Sequence, residues 1–294
     1  MTAGSIIRAM RPKQWTKNLI VPAALVFALG DKSQQIGKAA LLEALLATLG
    51  FCLVSSAIYL INDVKDAPLD RQHPVKKRRP VAAGEISPAF AVGLAFGLLG
   101  AGFLIAYRIG LPLVQVMAGY IALQTVYIFA LKQVALLDLF VIALGFVLRA
   151  LAGAVAVQVA ISPWLLLCTL LLAMFLALCK RRHEKVVLED FAGETRPSLR
   201  DYDQKLLDQL IAVISAATLV CYALYTLAPD TVAKFGSARL GFTIPFVMFG
   251  IFRYLDLVYR HEHGGRPEQT LLTDWPLLVN VALYGATVLA LLLF

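Results

Sequence analysis

Counted from Asn62, carboxylates follow at offsets of one, four and eight, as Asp63, Asp66 and Asp70. On a helical path those offsets bring one amide and three carboxylates onto a shared face. The group follows an apolar run over 44–61, and carboxylates beside hydrocarbon are costly unless they hold a metal or face a polar cavity. Hard oxygen ligands suit magnesium, which uses one or two protein carboxylates and fills its shell with waters and phosphate oxygens. The pattern therefore predicts Mg2+ on Asn62, Asp63, Asp66 and Asp70, with a diphosphate as substrate. A blander reading is the acidic end of a membrane helix, balanced by Arg71 and the run Lys76-Lys77-Arg78-Arg79.

The elements that carry this stretch must sit in a bilayer. With 60% hydrophobic and 16% charged residues and a mean hydropathy of +0.75, the 294-residue chain is too apolar for a soluble domain. Apolar segments near the roughly 20 residues that span a membrane as helix recur throughout, leaving no room for a separate soluble unit. We therefore expect an all-α integral membrane protein with one domain over 1–294. The segment 1–17, with Arg8, Arg11, Lys13 and Lys17, resembles a signal peptide superficially but has no cleavage site, so the first span is expected to be retained. Cys52, Cys168, Cys179 and Cys221 are scattered singly and read as packing residues. His261 and His263 flank Glu262 without the spacing of a zinc motif and read as loop residues.

Hydropathy places nine helices at about 16–29, 41–61, 88–107, 111–131, 137–157, 162–179, 206–227, 240–259 and 275–293. The loops then divide unequally, with 21 of the 27 Lys and Arg residues on one side. The positive-inside rule makes that side cytoplasmic, with the acidic stretch on it, the N-terminus inside and the C-terminus outside an inner membrane. Most of these charges set topology, and no nucleic-acid partner is expected. The 62–87 and 180–205 loops, however, pair acids with dense cations, as a cap closing over a polyanion and its metal would. Lys180 and Arg181 in the second loop suit phosphate or, alternatively, an anionic lipid surface. Within the fifth helix Asp138 and Arg149 are eleven residues apart and share a face. An ionisable side chain at such depth is a functional candidate, its alternative being a structural ion pair.

The stretch Asn62-Asp63-x-x-Asp66-x-x-x-Asp70, followed by Arg71, Arg79-Pro80 and Gly84, resembles the first aspartate-rich motif of the UbiA superfamily of intramembrane prenyltransferases. The resemblance implies a nine-helix bundle with cytoplasmic cap loops, Mg2+ on this motif, and a second acidic motif in a later loop. Here that second motif is missing: Asp190 and Glu194 match its spacing only loosely, and Lys180, Arg181 and Arg182 stand where acids are expected. Further matches at Arg11 to Asn18, His73-Pro74, Gly145-Phe146-x-x-Arg149, Arg196-x-Ser198-Leu199-x-x-Tyr202 and Gly264-Gly265-x-Pro267-Glu268 resemble the branch that moves phosphoribosyl groups onto lipid phosphates.

That resemblance implies 5-phosphoribosyl diphosphate as donor, a polyprenyl phosphate as acceptor, and a product that feeds arabinan synthesis for a cell wall. Asp63, Asp66 and Asp70 would act through the metal. Lys17, Lys76, Arg79, Lys180 and Arg181, with Gln14, Arg71 and Arg149, would bind substrate, and Tyr127, Tyr202 and Tyr254 would be hydroxyl donors near the mouth. No general base is needed, because a phosphate monoester is already anionic. Two alternatives stand beside this one: a prenyltransferase acting on an aromatic or quinone precursor, and an anion transporter, against which no two-halves repeat is visible. Pro68 should bend or end the helix that carries the motif.

Overall fold

Lipid offers no partner to a backbone N–H or C=O, so the apolar runs of this chain have to close their hydrogen bonds within themselves as helices. The computed structural model describes residues 2–31, 34, 36–187, 201–260, 270 and 273–293. Its elements are α1 (Ala3–Met10), a 3-10 segment (Pro12–Ile20), α2 (Ala23–Leu29), α3 (Ala40–Asp70), α4 (Pro88–Ile109), α5 (Leu111–Phe129) and α6 (Leu137–Ala156). Then follow α7 (Pro163–Val187), α8 (Gln204–Leu227), α9 (Pro229–Phe235), a 3-10 segment (Ala238–Thr243), α10 (Ile244–Arg260) and α11 (Trp275–Leu293). Among the described residues seven helices are long and apolar enough to cross a membrane, namely α3 to α8 and Ala238–Arg260, and α11 adds a shorter apolar one. The protein is a multi-pass membrane protein.

Of the nine expected spans, seven are found among the described residues, and the last corresponds to the shorter α11. The first expected span, 16–29, is divided instead. A 3-10 segment ends at Ile20 and α2 starts at Ala23, with Pro22 as its N-cap. The break lies against α6, where a Cβ on Gly153 would stand 1.7 Å from the Val21 carbonyl oxygen, so only glycine permits this approach. The second expected span, 41–61, runs on through the acidic stretch to Asp70. Pro68 lies in its final turn, where its missing N–H takes away one i−4 hydrogen bond, and the helix ends two residues later. Ser87 starts α4 by accepting from Phe90 N, with Pro88 in the first turn, and Asp203 caps α8 in the same way.

Polar contacts gather the basic loops at one end of the bundle. Arg11 reaches Asp63, Arg79 reaches Asp63 and Asp70, and Lys132 reaches Asp66. Arg182 pairs with Asp208 and Arg253 with Asp256 and Asp274, tying α7, α8, α10 and the start of α11 together at the same end. Below it, apolar cores join α3 to α4, α5 and α6 around Phe51, Val54, Leu113 and Met117, and α7 to α8 and α10 around Phe175, Leu207 and Leu257. The loop residues Asp190, Glu194, Arg196, Ser198, His261, His263, Gly264 and Glu268 lie outside the described residues.

Candidate active site

The four residues of the acidic stretch do not converge on one point, which corrects the sequence expectation. They split into two pairs on neighbouring faces of α3. Asn62 Nδ2 donates to Asp66 Oδ2 at 2.9 Å, and Lys132 Nζ donates to Asp66 Oδ1 at 2.5 Å. Asp63 and Asp70 turn the other way, toward Arg79, whose Nη1 lies 3.2 Å from Asp63 Oδ1 and 2.7 Å from Asp70 Oδ2. Arg11 also donates to Asp63 Oδ1. Arg11 holds a left-handed backbone (φ 54°, ψ 58°), rare for a side chain of this size, and the Asp63 pair fixes it together with a stack over Tyr59 at 5.2 Å. Charge pairing accounts for the split: Arg11 and Arg79 draw Asp63 and Asp70 to one side, while Asn62 and Lys132 hold Asp66 on the other.

Among the described residues no group of three or more His, Cys, Asp and Glu is placed to hold a metal ion. A smaller donor set does fit magnesium. Asn62 and Asp66 bring an amide and a carboxylate together one turn apart, and magnesium accepts one or two protein ligands when phosphate oxygens and waters complete its shell. Asp63 also keeps Oδ2 buried with no hydrogen-bond partner among the described residues, the mark of an oxygen in wait of a cation or donor.

Beside this cluster, deeper in the bundle, lies a cavity of about 670 Å3. Every spanning element except α4 and α8 contributes to its wall. Ile58 and Tyr59 line it, so Asn62 begins one turn beyond, about 6 Å along the axis of α3. Its charged lining is all cationic, with Lys17, Arg149, Lys180 and Arg181, and no Asp or Glu stands in the wall. Apolar side chains such as Ile142, Phe146, Leu172 and Val247 supply the rest. A charged head and a hydrocarbon tail both find their complement there.

Six of the substrate-binding residues expected from sequence line this cavity: Lys17, Tyr127, Arg149, Lys180, Arg181 and Tyr254. The others stand elsewhere. Gln14, Arg71, Lys76 and Arg79 are outside the wall; Arg71 Nε donates to the Ala82 carbonyl at 3.3 Å, and Arg79 is committed to the carboxylates. Tyr202 is a correction: its hydroxyl donates to Asp138 Oδ1 at 2.7 Å and accepts from Leu136 N at 2.7 Å, so this side chain is a buried structural tie. Asp138 and Arg149 share a helix but do not meet. Asp138 pairs with Arg181 at 2.8 Å, and Arg149 is held by Asn18, Gly145 and Tyr120.

Sequence reasoning missed Asn18, Tyr120 and Gln124. A signal for two of them was present: Tyr120, Gln124 and Tyr127 recur at four and three residues, a polar stripe along one face of an otherwise apolar span. At the polar end His73 accepts at Nδ1 from Val75 N at 3.1 Å and Lys76 N at 3.3 Å, shaping the turn that carries Lys76 and Arg79. Burial, and then the Lys76 charge, hold its pKa below the usual imidazole range.

Residues 19–273 match the UbiA prenyltransferase family. A decaprenyl-phosphate phosphoribosyltransferase of Mycolicibacterium smegmatis is 38% identical over 225 residues, 76% of this chain and 71% of that protein. One of the same name from Mycobacterium tuberculosis is 34% identical over 96% of this chain and 92% of its own length. Among solved structures, a UbiA homolog from Archaeoglobus fulgidus bound to GPP and Mg2+ superposes with a TM-score of 0.73 at 20% identity, covering 99% of this chain and 100% of that one. With a family match over most of its length and relatives above 30% identity that span nearly all of it, the chain belongs to the UbiA prenyltransferase family.

Proposed function

We propose that this protein transfers the 5-phosphoribosyl group of 5-phosphoribosyl diphosphate to a polyprenyl phosphate of the decaprenyl type, releasing diphosphate. The observation that carries the reading is the cavity: cations without carboxylates at a polar head end, apolar walls beyond, and hard oxygens one turn away. The names of the relatives that cover most of the chain favour the same reaction. In it, an oxygen of the lipid phosphate attacks the anomeric carbon, the bond from that carbon to the diphosphate oxygen breaks, and diphosphate departs with the electron pair. No proton has to move, so the protein's work is orientation and charge neutralisation.

Lys17 and Lys180 face the cavity and would neutralise diphosphate oxygens as point charges. Mg2+ held by Asn62 and Asp66, with Asp63 and Asp70 beside them, would draw charge off the leaving group. Tyr127 and Tyr254, also in the wall, would donate to sugar or phosphate oxygens. Ile142, Phe146 and Leu172 would receive the polyprenyl chain. The basic end would face the cytoplasm of an inner membrane, with the N-terminus in and the C-terminus out, so that the polar donor enters from water. The product would serve as a precursor of lipid-linked arabinose for cell-wall arabinan.

Purified protein in lipid nanodiscs, given Mg2+, labelled 5-phosphoribosyl diphosphate and a polyprenyl phosphate, should move label into the organic phase. Label that stays in water while a prenyl diphosphate is consumed with an aromatic acceptor would replace this reading by prenyl transfer.

A further inference from the structure

Arg149 carries a charge that the fold itself does not neutralise. It is 5% exposed and lies twelve residues into α6, about 18 Å along the axis from Leu137. Its Nε donates to Asn18 Oδ1 at 2.7 Å, Nη1 to the Gly145 carbonyl at 2.9 Å and Nη2 to the Tyr120 hydroxyl at 2.7 Å. The guanidinium stacks 4.8 Å from the Tyr120 ring centre and 5.3 Å from that of Phe146. All these partners are neutral, and among the described residues no carboxylate pairs with it. A lone cation inside a membrane protein is costly unless something compensates it.

Three of five N–H donors are used, which leaves one on each terminal nitrogen. The side chain lines the cavity, in a wall that holds three further cations and no acid. Gly145 keeps the space beside it open. A Cβ there would stand 3.0 Å from Gln124 Nε2 and 3.4 Å from Arg149 Nη1, so a second donor reaches the same place.

We infer that Arg149 seats a phosphate monoester of bound substrate, its two remaining N–H groups forking onto two phosphate oxygens. Such pairing is the geometry at which a guanidinium excels, and a dianion supplies the compensating charge. Asn18 and Tyr120 are positioning residues that fix the fork, and the Gln124 amide adds a donor. The inference rests on the phosphoribosyl-transfer reading and narrows it, because each substrate has one such group: the head of the polyprenyl phosphate and the C5 phosphate of the sugar.

The test is the KM of each substrate, with the other saturating, for the full chain in nanodiscs and for Arg149→Lys, which keeps the charge but loses the fork. We expect one KM to rise about tenfold and the other to stay within about twofold, the usual sign of a lost binding contact. A rise for polyprenyl phosphate assigns the lipid head; a rise for 5-phosphoribosyl diphosphate assigns the C5 phosphate. Both KM values unchanged, or both raised equally, overturns the inference and leaves Arg149 a structural tie. Tyr120→Phe, which removes one hydroxyl, should raise the same KM by about threefold, and it stands in should the lysine variant fail to fold.

A melting experiment separates this inference from the catalytic reading. Polyprenyl phosphate or ribose 5-phosphate, added alone, should stabilise the wild-type protein and leave Arg149→Lys unshifted, whether or not label is transferred. Stabilisation of the wild type by neither probe, or of both proteins alike, overturns it.

Discussion

Arg149 and Arg181 are the same side chain, both buried in spanning helices and both in the wall of one cavity, yet their surroundings are opposite. Arg181 is 1% exposed and clamped between Asp138 at 2.8 Å and Glu184 at 2.7 Å, with Tyr202 bracing Asp138 from the far side. Arg149 has an amide, a carbonyl and a phenol. The first charge is spent on joining α6, α7 and the segment before α8. The second is held in place by neutral groups alone. Burial alone does not mark a functional cation in a membrane; the sign of its neighbours does.

The sharpest way to break the comparison is to remove the acid from the compensated arginine. Asp138→Ala should lower stability by about 3 kcal/mol, because a buried guanidinium then keeps only Glu184, while KM values in the surviving folded protein stay within about threefold of wild type. Thermal melting in nanodiscs and kinetics on the same sample read both. A melting point near that of wild type would mean that the pair is not structural, and the contrast with Arg149 would collapse.

The acidic stretch divides too: Asp63 and Asp70 are tied to arginines, whereas Asp66, with Asn62 and Lys132, is the half proposed to hold the metal. Asp66→Ala should reduce transfer at least 100-fold, about 2.7 kcal/mol of lost transition-state stabilisation, with little change in melting. Asp63→Ala, in contrast, removes the 1% exposed partner of Arg11 and Arg79 and should melt early. Normal turnover in Asp66→Ala takes that residue out of the site.

The membrane class, most spans and the position of the acidic motif were legible because they depend on hydropathy over twenty residues and on i, i+4 spacing, both local properties. Six cavity residues were legible because a cation or phenol in an apolar span stands out. What could not be read was pairing across the bundle. Nothing near Asp63 in sequence points to Arg11, and nothing near Tyr202 points to Asp138, since each contact joins elements over 50 residues apart. The division of the first span at Val21 and Pro22 had a local signal in Pro22, but the contact it makes did not: Gly153 on α6 lets the two backbones touch. Asn18, at the end of the matched stretch Arg11 to Asn18, was given no role because its partner Arg149 lies 131 residues away.

Among the cavity cations, Lys180 should behave as a ligand to substrate rather than as part of the frame. Lys180→Met should raise the KM for 5-phosphoribosyl diphosphate about tenfold, or roughly 1.4 kcal/mol, and leave melting unchanged. A fall in stability with an unchanged KM would move Lys180 to the side of Arg181.

The smallest effect belongs to the turn that sets Lys76 and Arg79. His73 accepts two backbone N–H groups at Nδ1, which requires the neutral ring, and burial followed by the Lys76 and Arg79 charges outweighs Asp70 and Glu184 in lowering its pKa. Because the folded pKa is depressed, the detached loop binds more protons than the folded one once pH falls below the ordinary value near 6.5, and stability declines toward the folded value. Amide exchange over residues 71–79, corrected for intrinsic rates, should therefore quicken as pH drops through this window and be flat at higher pH. Asn at this position can accept the same two N–H groups without titrating, so His73→Asn should exchange at one corrected rate throughout. A variant that keeps the pH dependence would assign it to Asp70 instead, and would put the titrating group within the acid cluster itself.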